Sequence, residues 1–284
     1  MTSRGKAIIL LCITAVLWST SGYLLILVDW NPIATTGARS AIALIPLLIM
    51  FGRPRPINGV APIMAAVCYA AMLFTFVTAN RLTTAANVIL LQYTAPVYVV
   101  FLSAWLLKEK IWKIDIITVV LMMAGMVLFF IGDVDTQGLR GNLLALLSGV
   151  AFATMAVCLR KMEGGPYRGA DAIMWGNIIC AVVGLPFIAV VGLPSPISWL
   201  GLALLGLFQL GLAYCLYVIA VKDVTALELA LIPVIEPLLN PLLVAIFAFQ
   251  LPGTFAIIGG VIVVSAVTWN LVYKHRKSSY RRKS

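Results

Sequence analysis

Three ionisable side chains stand inside long apolar runs of the sequence: Arg39, Glu228 and Glu236. A charge placed in hydrocarbon costs at least a few kcal/mol, so residues of this kind are functional candidates by default. Glu236 falls near the middle of its run, between Pro233 and Pro237, with Asn240 one turn on and Pro241 after it. Each interior proline removes a helix hydrogen bond and leaves the carbonyl four residues earlier without its donor. Three prolines at this spacing imply a bent or broken helix, tolerated only against protein or a wet cavity. Two roles for Glu236 stand side by side: a protonated acid capping a freed backbone group, or a contact for a ligand amine or a coupling proton. Glu228 lies within a turn of a helix end and reaches the interface. Arg39, about two turns into its run, either pairs with a helix-end carbonyl or attracts a carboxylate.

Aromatic and neutral polar residues form the second group of candidates. Thr14, Trp18 and Ser21 follow i, i+4, i+7 spacing and share one helix face. Gln92 and Tyr93 stand one turn before Pro96, which kinks its own run as the later prolines kink theirs. Tyr69, Trp175 with Asn177, and Gln209 with Tyr214 lie in three further runs. Apolar walls with a few placed polar groups suit a small zwitterionic or partly aromatic molecule. The alternative is ordinary membrane chemistry, with Trp and Tyr at the headgroup belts and Ser, Thr and Asn bonding between helices.

Catalysis has little to work with. The one histidine, His275, sits in a basic tail, and no GxSxG, HExxH, paired intramembrane aspartates or phosphate-binding Walker loop occurs. Cys12, Cys68, Cys158, Cys180 and Cys215 are scattered singly through apolar stretches, as small buried hydrophobes are. No metal or cofactor is expected, and hydrolysis-driven pumping within this chain is excluded. The rival classes are an intramembrane enzyme and a non-transporting helical bundle.

These residues must be positioned by elements suited to lipid. Of 284 residues, 62% are hydrophobic and 11% charged, with a mean hydropathy of +1.07, against about 25% charged in ordinary soluble domains. Spans of about 20 residues fit the chain as ten transmembrane helices: 6–28, 33–51, 60–80, 85–106, 113–131, 142–162, 171–192, 197–220, 226–249 and 253–273. The first is too long for a signal-peptide core of about 7–15 residues and is expected to remain as a span.

The net charge of +10 comes without a basic, aromatic-laced stripe, which argues against nucleic acid. It sets orientation instead. With the N-terminus cytoplasmic, Arg4, Lys6, Arg53, Arg55, Lys108, Lys110, Lys113, Arg160, Lys161, Arg168, Lys222 and six basic tail residues fall inside. Arg81 and Arg140 fall outside. Seventeen basic residues against two predict both termini in the cytoplasm.

A shift of 141 residues lays Thr84-Ala85 on Thr225-Ala226, Pro96 on Pro237 and Arg81 on Lys222. The chain therefore reads as two five-helix units, 1–135 and 136–284. Five is odd, so the second unit runs through the membrane in the opposite sense, as inverted repeats of secondary transporters do.

Each half resembles the EamA-type unit of the drug/metabolite transporter superfamily. The residues that carry this are TTAANVILLQYTAPVYVVFLSAWLLKEK (83–110) and VTALELALIPVIEPLLNPLLVAIFAFQLPG (224–253). Each leads into a Gly-rich final helix at Ala124-Gly-Met126 and Gly259-Gly-Val261. Arg39 fits the family's pattern whatever the substrate, which favours a structural pairing role for it. Gln250 departs from the pattern, since the first half has Glu109 at the equivalent place. Leu17-Trp-Ser-Thr20 with Gln92-Tyr93 ahead of Pro96 is similar to the superfamily's amino-acid exporters.

The resemblance implies an all-α integral membrane fold of two inverted five-helix repeats. It further implies a secondary transporter, in a bacterial inner membrane, exporting amino acids or similar small zwitterionic metabolites by alternating access. Carriers of other small metabolites or drugs are the alternative within transporters. Expected substrate contacts are Trp18, Ser21, Tyr69, Gln92, Tyr93, Trp175, Tyr214, Glu236 and Asn240; expected hinges are Pro96, Pro233, Pro237 and Pro241. The expected partners are the substrate and the lipid bilayer, with no obligatory protein partner. With one carboxylate near the midplane, facilitated diffusion is expected ahead of proton coupling.

Overall fold

The computed structural model describes residues 2–131, 138–239 and 253–281. Asn240 and Pro241, and with them the rest of the ninth expected span, lie outside the described residues.

Helices begin where local chemistry satisfies their first N–H groups. α1 (Ser3–Ser19) starts at Thr2, whose hydroxyl accepts from Gly5 N. The chain bends at Thr20 and continues as α2 (Ser21–Ile26). The bend has a local cause: Ser19 Oγ donates to Val16 O and Thr20 Oγ1 to Leu17 O, both at 2.7 Å. Hydroxyls that bond back to the preceding turn in this way bend helices. α3 (Pro32–Phe51) is capped by Asn31, which accepts from Ile33 N and Ala34 N, with proline at its first position.

α4 (Val60–Leu82) precedes a broken span. There α5 (Ala85–Gln92) and α6 (Ala95–Leu102) are separated at Tyr93–Thr94 and followed by a π-helical turn, Ser103–Leu107. α7 is Lys113–Phe129, α8 Leu139–Met162 and α9 Gly169–Val191. The next span comprises α10 (Pro196–Leu204), a π-helical stretch Leu205–Leu212 and α11 (Ala213–Val221). α12 (Ala226–Leu231) opens with a capping box, in which Thr225 Oγ1 accepts from Glu228 N and Glu228 Oε2 from Thr225 N. A 3₁₀ turn, Ile232–Val234, carries it into helical residues 235–239. The last helix is α13 (Thr254–Arg281).

Among the described residues the secondary structure is all helical, and eight stretches are long and apolar enough to cross a membrane. The exterior is correspondingly oily: Ile49 is 82% exposed and Val190 87%. Surfaces of that kind are stable in lipid and a liability in water. The chain is an integral membrane protein.

α4 packs on α8 and α9, α3 on α9 and on the Leu205–Leu212 stretch, α1 on α11, and α7 on α13. Lipid gives no hydrophobic drive for helix association, so close backbone approach matters. Where α3 crosses α9, a Cβ on Gly37 would stand 2.7 Å from Gly184 Cα, a distance open only to glycine. The ion-paired charges lie at the ends of the bundle. Arg4–Glu228, Arg160–Glu109 and Lys274–Asp115 ion pairs surround one vestibule of about 710 Å³. At the opposite end Arg81 Nη2 donates to Val28 O, and Thr83 Oγ1 to Asn142 Oδ1.

Candidate functional site

The interior holds a small, partly open cavity of about 60 Å³. Trp18, Ser21, Arg39, Gln92, Tyr93, Gln209, Tyr214 and Glu236 line it, with an apolar wall that includes Phe76 and Phe152. Nearly every polar residue there stands at a local break in helical regularity. Trp18 and Ser21 flank the α1–α2 bend, and Gln92 and Tyr93 end α5. Gln209 sits in the π-helical stretch, and Glu236 follows the 3₁₀ turn. π-helical insertions concentrate at functional sites because they turn a side chain out of the normal register.

The proline breaks explain the placement of two tyrosines. Pro237 leaves Pro233 O without the N–H of residue i+4, and Tyr93 Oη donates to that carbonyl at 3.0 Å. Pro233 likewise deprives Leu229 O, and Tyr217 Oη donates to it at 3.4 Å. Tyrosine hydroxyls thus serve the backbone groups freed by both prolines. Tyr93 Oη also donates to Glu236 Oε2, which faces the cavity. One hydroxyl carries one proton, so these two contacts share it unless Glu236 is itself protonated and donates to the phenol oxygen.

The remaining contacts tie the wall together. The Trp18 ring packs against Tyr214 at 5.2 Å, Tyr217 at 5.5 Å and Phe152 at 6.0 Å between centroids. Gln92 Nε2 donates to Ser148 Oγ at 2.9 Å, and Ser148 Oγ donates to Met72 O at 3.2 Å. Gly206 and Gly211 bring the π-helical stretch onto α3, where a Cβ on Gly206 would lie 2.8 Å from Arg39 O.

Six of the nine residues expected to contact substrate therefore meet at one cavity: Trp18, Ser21, Gln92, Tyr93, Tyr214 and Glu236. Tyr69 lies behind it, fully buried, with its hydroxyl on Asn177 Oδ1 at 3.2 Å and its ring edge-on to Tyr214. Trp175 stands elsewhere, against an apolar groove with Ile63 and Val67, its Nε1 donating to Arg55 O. That is the interfacial arrangement of a membrane tryptophan. Glu228 caps α12 and pairs with Arg4 at the bundle end.

Arg39 and Gln209 line the cavity as well. Arg39 carried a sequence signal, a charge within an apolar run, but the expected structural partner is missing: among the described residues it makes no hydrogen bond or ion pair, and its Nε is unpartnered. Gln209 carried a weaker signal, as one amide in an apolar run. Among the described residues no cluster of three or more His, Cys, Asp or Glu is placed to hold a metal.

The profile of the EamA-like transporter family matches residues 5–131 and 139–272. The chain belongs to the EamA-like transporter family. An uncharacterized transporter of Clostridium kluyveri is 24% identical over 215 residues, covering 71% of this chain and 67% of its own. A protein of known crystal structure superposes on this EamA-like chain with a TM-score of 0.79. It covers 96% of this chain and 99% of its own at 19% identity, a likeness of fold. Family and relative point to a membrane transporter and away from an enzyme.

Proposed function

We propose that this EamA-like protein is a secondary transporter that exports amino acids or closely similar zwitterionic metabolites by alternating access. The proposed architecture is ten transmembrane helices in two inverted five-helix repeats, residues 1–135 and 136–284. Both termini are assigned to the cytoplasm of a bacterial inner membrane. One observation carries the reading. The break between α5 and α6 and the break after α12 meet at a single cavity, joined by Tyr93 to Pro233 O and Glu236. Broken helices facing each other near the middle of the bundle are where transporters of repeat architecture hold their substrates.

At about 60 Å³ the cavity has room for no more than a few waters and must widen to admit a metabolite. Rocking of the repeats about Pro96, Pro233 and Pro237, with Pro241 assigned the same role, provides that widening. Glu236 is assigned the substrate amine. Leu17-Trp-Ser-Thr20 with Gln92-Tyr93 resembles the amino-acid exporter YddG, and this resemblance favours amino acids over other small metabolites.

The test is flux into proteoliposomes of purified protein, with a panel of amino acids competing against one labelled amino acid. Trp18→Ala and Tyr93→Ala are expected to lower flux in folded protein. No flux for any amino acid with an intact fold overturns the reading. Transport is assigned as facilitated diffusion. Flux driven strongly by a pH gradient and abolished in Glu236→Gln would replace that with proton coupling.

A further inference from the structure

We infer that Arg39 is the receptor for a substrate carboxylate, with the Gln209 amide oxygen and Glu236 facing the amine end of the same molecule. This rests on the transport reading and names the chemistry its substrate must present: a free carboxylate beside an amine.

The first support is a comparison within the chain. Arg39, Asp115, Asp171 and Glu228 are each buried to 1% exposure or less. The three acids are all paired: Glu228 with Arg4 at 2.6 Å, Asp171 with Arg168 at 2.6 Å and Asp115 with Lys274 at 2.7 Å. All three lie at or near helix ends, within reach of the interface. Arg39 lies within α3, away from both ends, and among the described residues it has neither an ion pair nor a hydrogen bond. Burying a charge without a partner is among the most expensive things a fold does. The unpaired charge faces the cavity. A guanidinium presents a planar fork of donors matched to a carboxylate, and that match is stronger in a dry site than in water.

The second support is the complementary acceptor. Gln209 Oε1 is also buried and on the cavity, and among the described residues it has no hydrogen-bond partner. Gly206 lets the π-helical stretch touch α3 at the Arg39 carbonyl, so the orphan donor and the orphan acceptor are held on adjoining elements. Glu236 adds a second oxygen-bearing group to the same lining. Donor fork, amide oxygen and carboxyl in one small cavity complement a zwitterion, whose charges would otherwise be desolvated without compensation. An organic amine without a carboxylate would leave the guanidinium unmatched.

The experiment titrates purified protein with each of the twenty amino acids, following tryptophan fluorescence. It then uses the methyl ester and the decarboxylated amine of those that bind. In the wild-type chain the amino acid is expected to bind at least tenfold more tightly than either derivative. In Arg39→Gln that ratio should fall towards one, while Arg39→Lys, which keeps the charge, retains part of it. If Arg39→Gln fails to fold, the wild-type ratio and the Arg39→Lys ratio still decide. Amino-acid binding with no preference over the ester and amine overturns the assignment and leaves the transport reading standing. Flux of a metabolite lacking a carboxylate, with no amino acid bound, overturns the zwitterion and leaves a transporter. Absence of both binding and flux overturns the two together.

Discussion

Tyr93→Phe isolates one hydroxyl and keeps the ring. The lost group donates to Pro233 O at 3.0 Å and to Glu236. A buried hydrogen-bonding group left without its partner costs about 1–3 kcal/mol. Hydrogen bonds between membrane helices average only about 0.6 kcal/mol, because the alternative state finds other partners. The upper range applies here, because the donor that would ordinarily replace Tyr93, the N–H of residue i+4, is absent at Pro237. Each kcal/mol lowers Tm by about 2–4 °C in chains somewhat shorter than this, so thermal unfolding in detergent should shift by roughly 2–12 °C. Glu236 loses a contact as well, so proteoliposome flux should fall in the same variant. Tyr217→Phe is the internal comparison: its bond to Leu229 O is longer, at 3.4 Å, and its hydroxyl does not line the cavity. Pro233 frees Leu229 O in the same way, so this variant should also lower Tm, by less because the bond is longer, and spare substrate affinity. A Tyr93→Phe chain with wild-type Tm and flux would refute the assignment of this hydroxyl to the proline break.

Three further outcomes follow from the packing. Gly206→Ala places a Cβ 2.5 Å from Ile42 Cβ and 2.8 Å from a backbone oxygen, so the π-helical stretch must move; overpacking of about 1–3 kcal/mol should appear as a lower Tm together with weaker substrate binding. Thr225→Ala removes the α12 cap and should cost about 0.5–2 kcal/mol, measurable by the same melts, with binding in the cavity little affected. Glu228→Gln keeps an acceptor for Thr225 N but breaks the ion pair to Arg4; a double-mutant cycle with Arg4→Gln should show coupling between the two, and additive costs would argue that the pair contributes nothing.

The sequence by itself determined where the chain meets lipid. Apolar run lengths place span starts at 33, 85, 197 and 226, on or within one residue of the helix starts at Pro32, Ala85, Pro196 and Ala226, where the structure shows caps at Asn31, Thr84, Ser195 and Thr225. Both signals are local, set by partition of side chains and by backbone groups within one turn. Proline spacing likewise showed where helices had to break. The tertiary structure decided which side chain answers each break. Glu236 was a candidate to cap a freed carbonyl. The hydroxyl that caps Pro233 O comes from Tyr93, 140 residues away in the chain.

The 3.6-residue period puts Trp18 and Ser21 on one face, and both line the cavity, but it does not show which runs meet there. The interruption at Thr20 and the π-helical stretch Leu205–Leu212 each break the regular α-helical register. Trp175 and Trp18 look alike as tryptophans in apolar runs, yet one faces an apolar groove and the other the cavity. Arg39 shows the division most plainly. Its type and its place in an apolar run made it conspicuous in the sequence, but only the packed helices show that no described residue pairs with it.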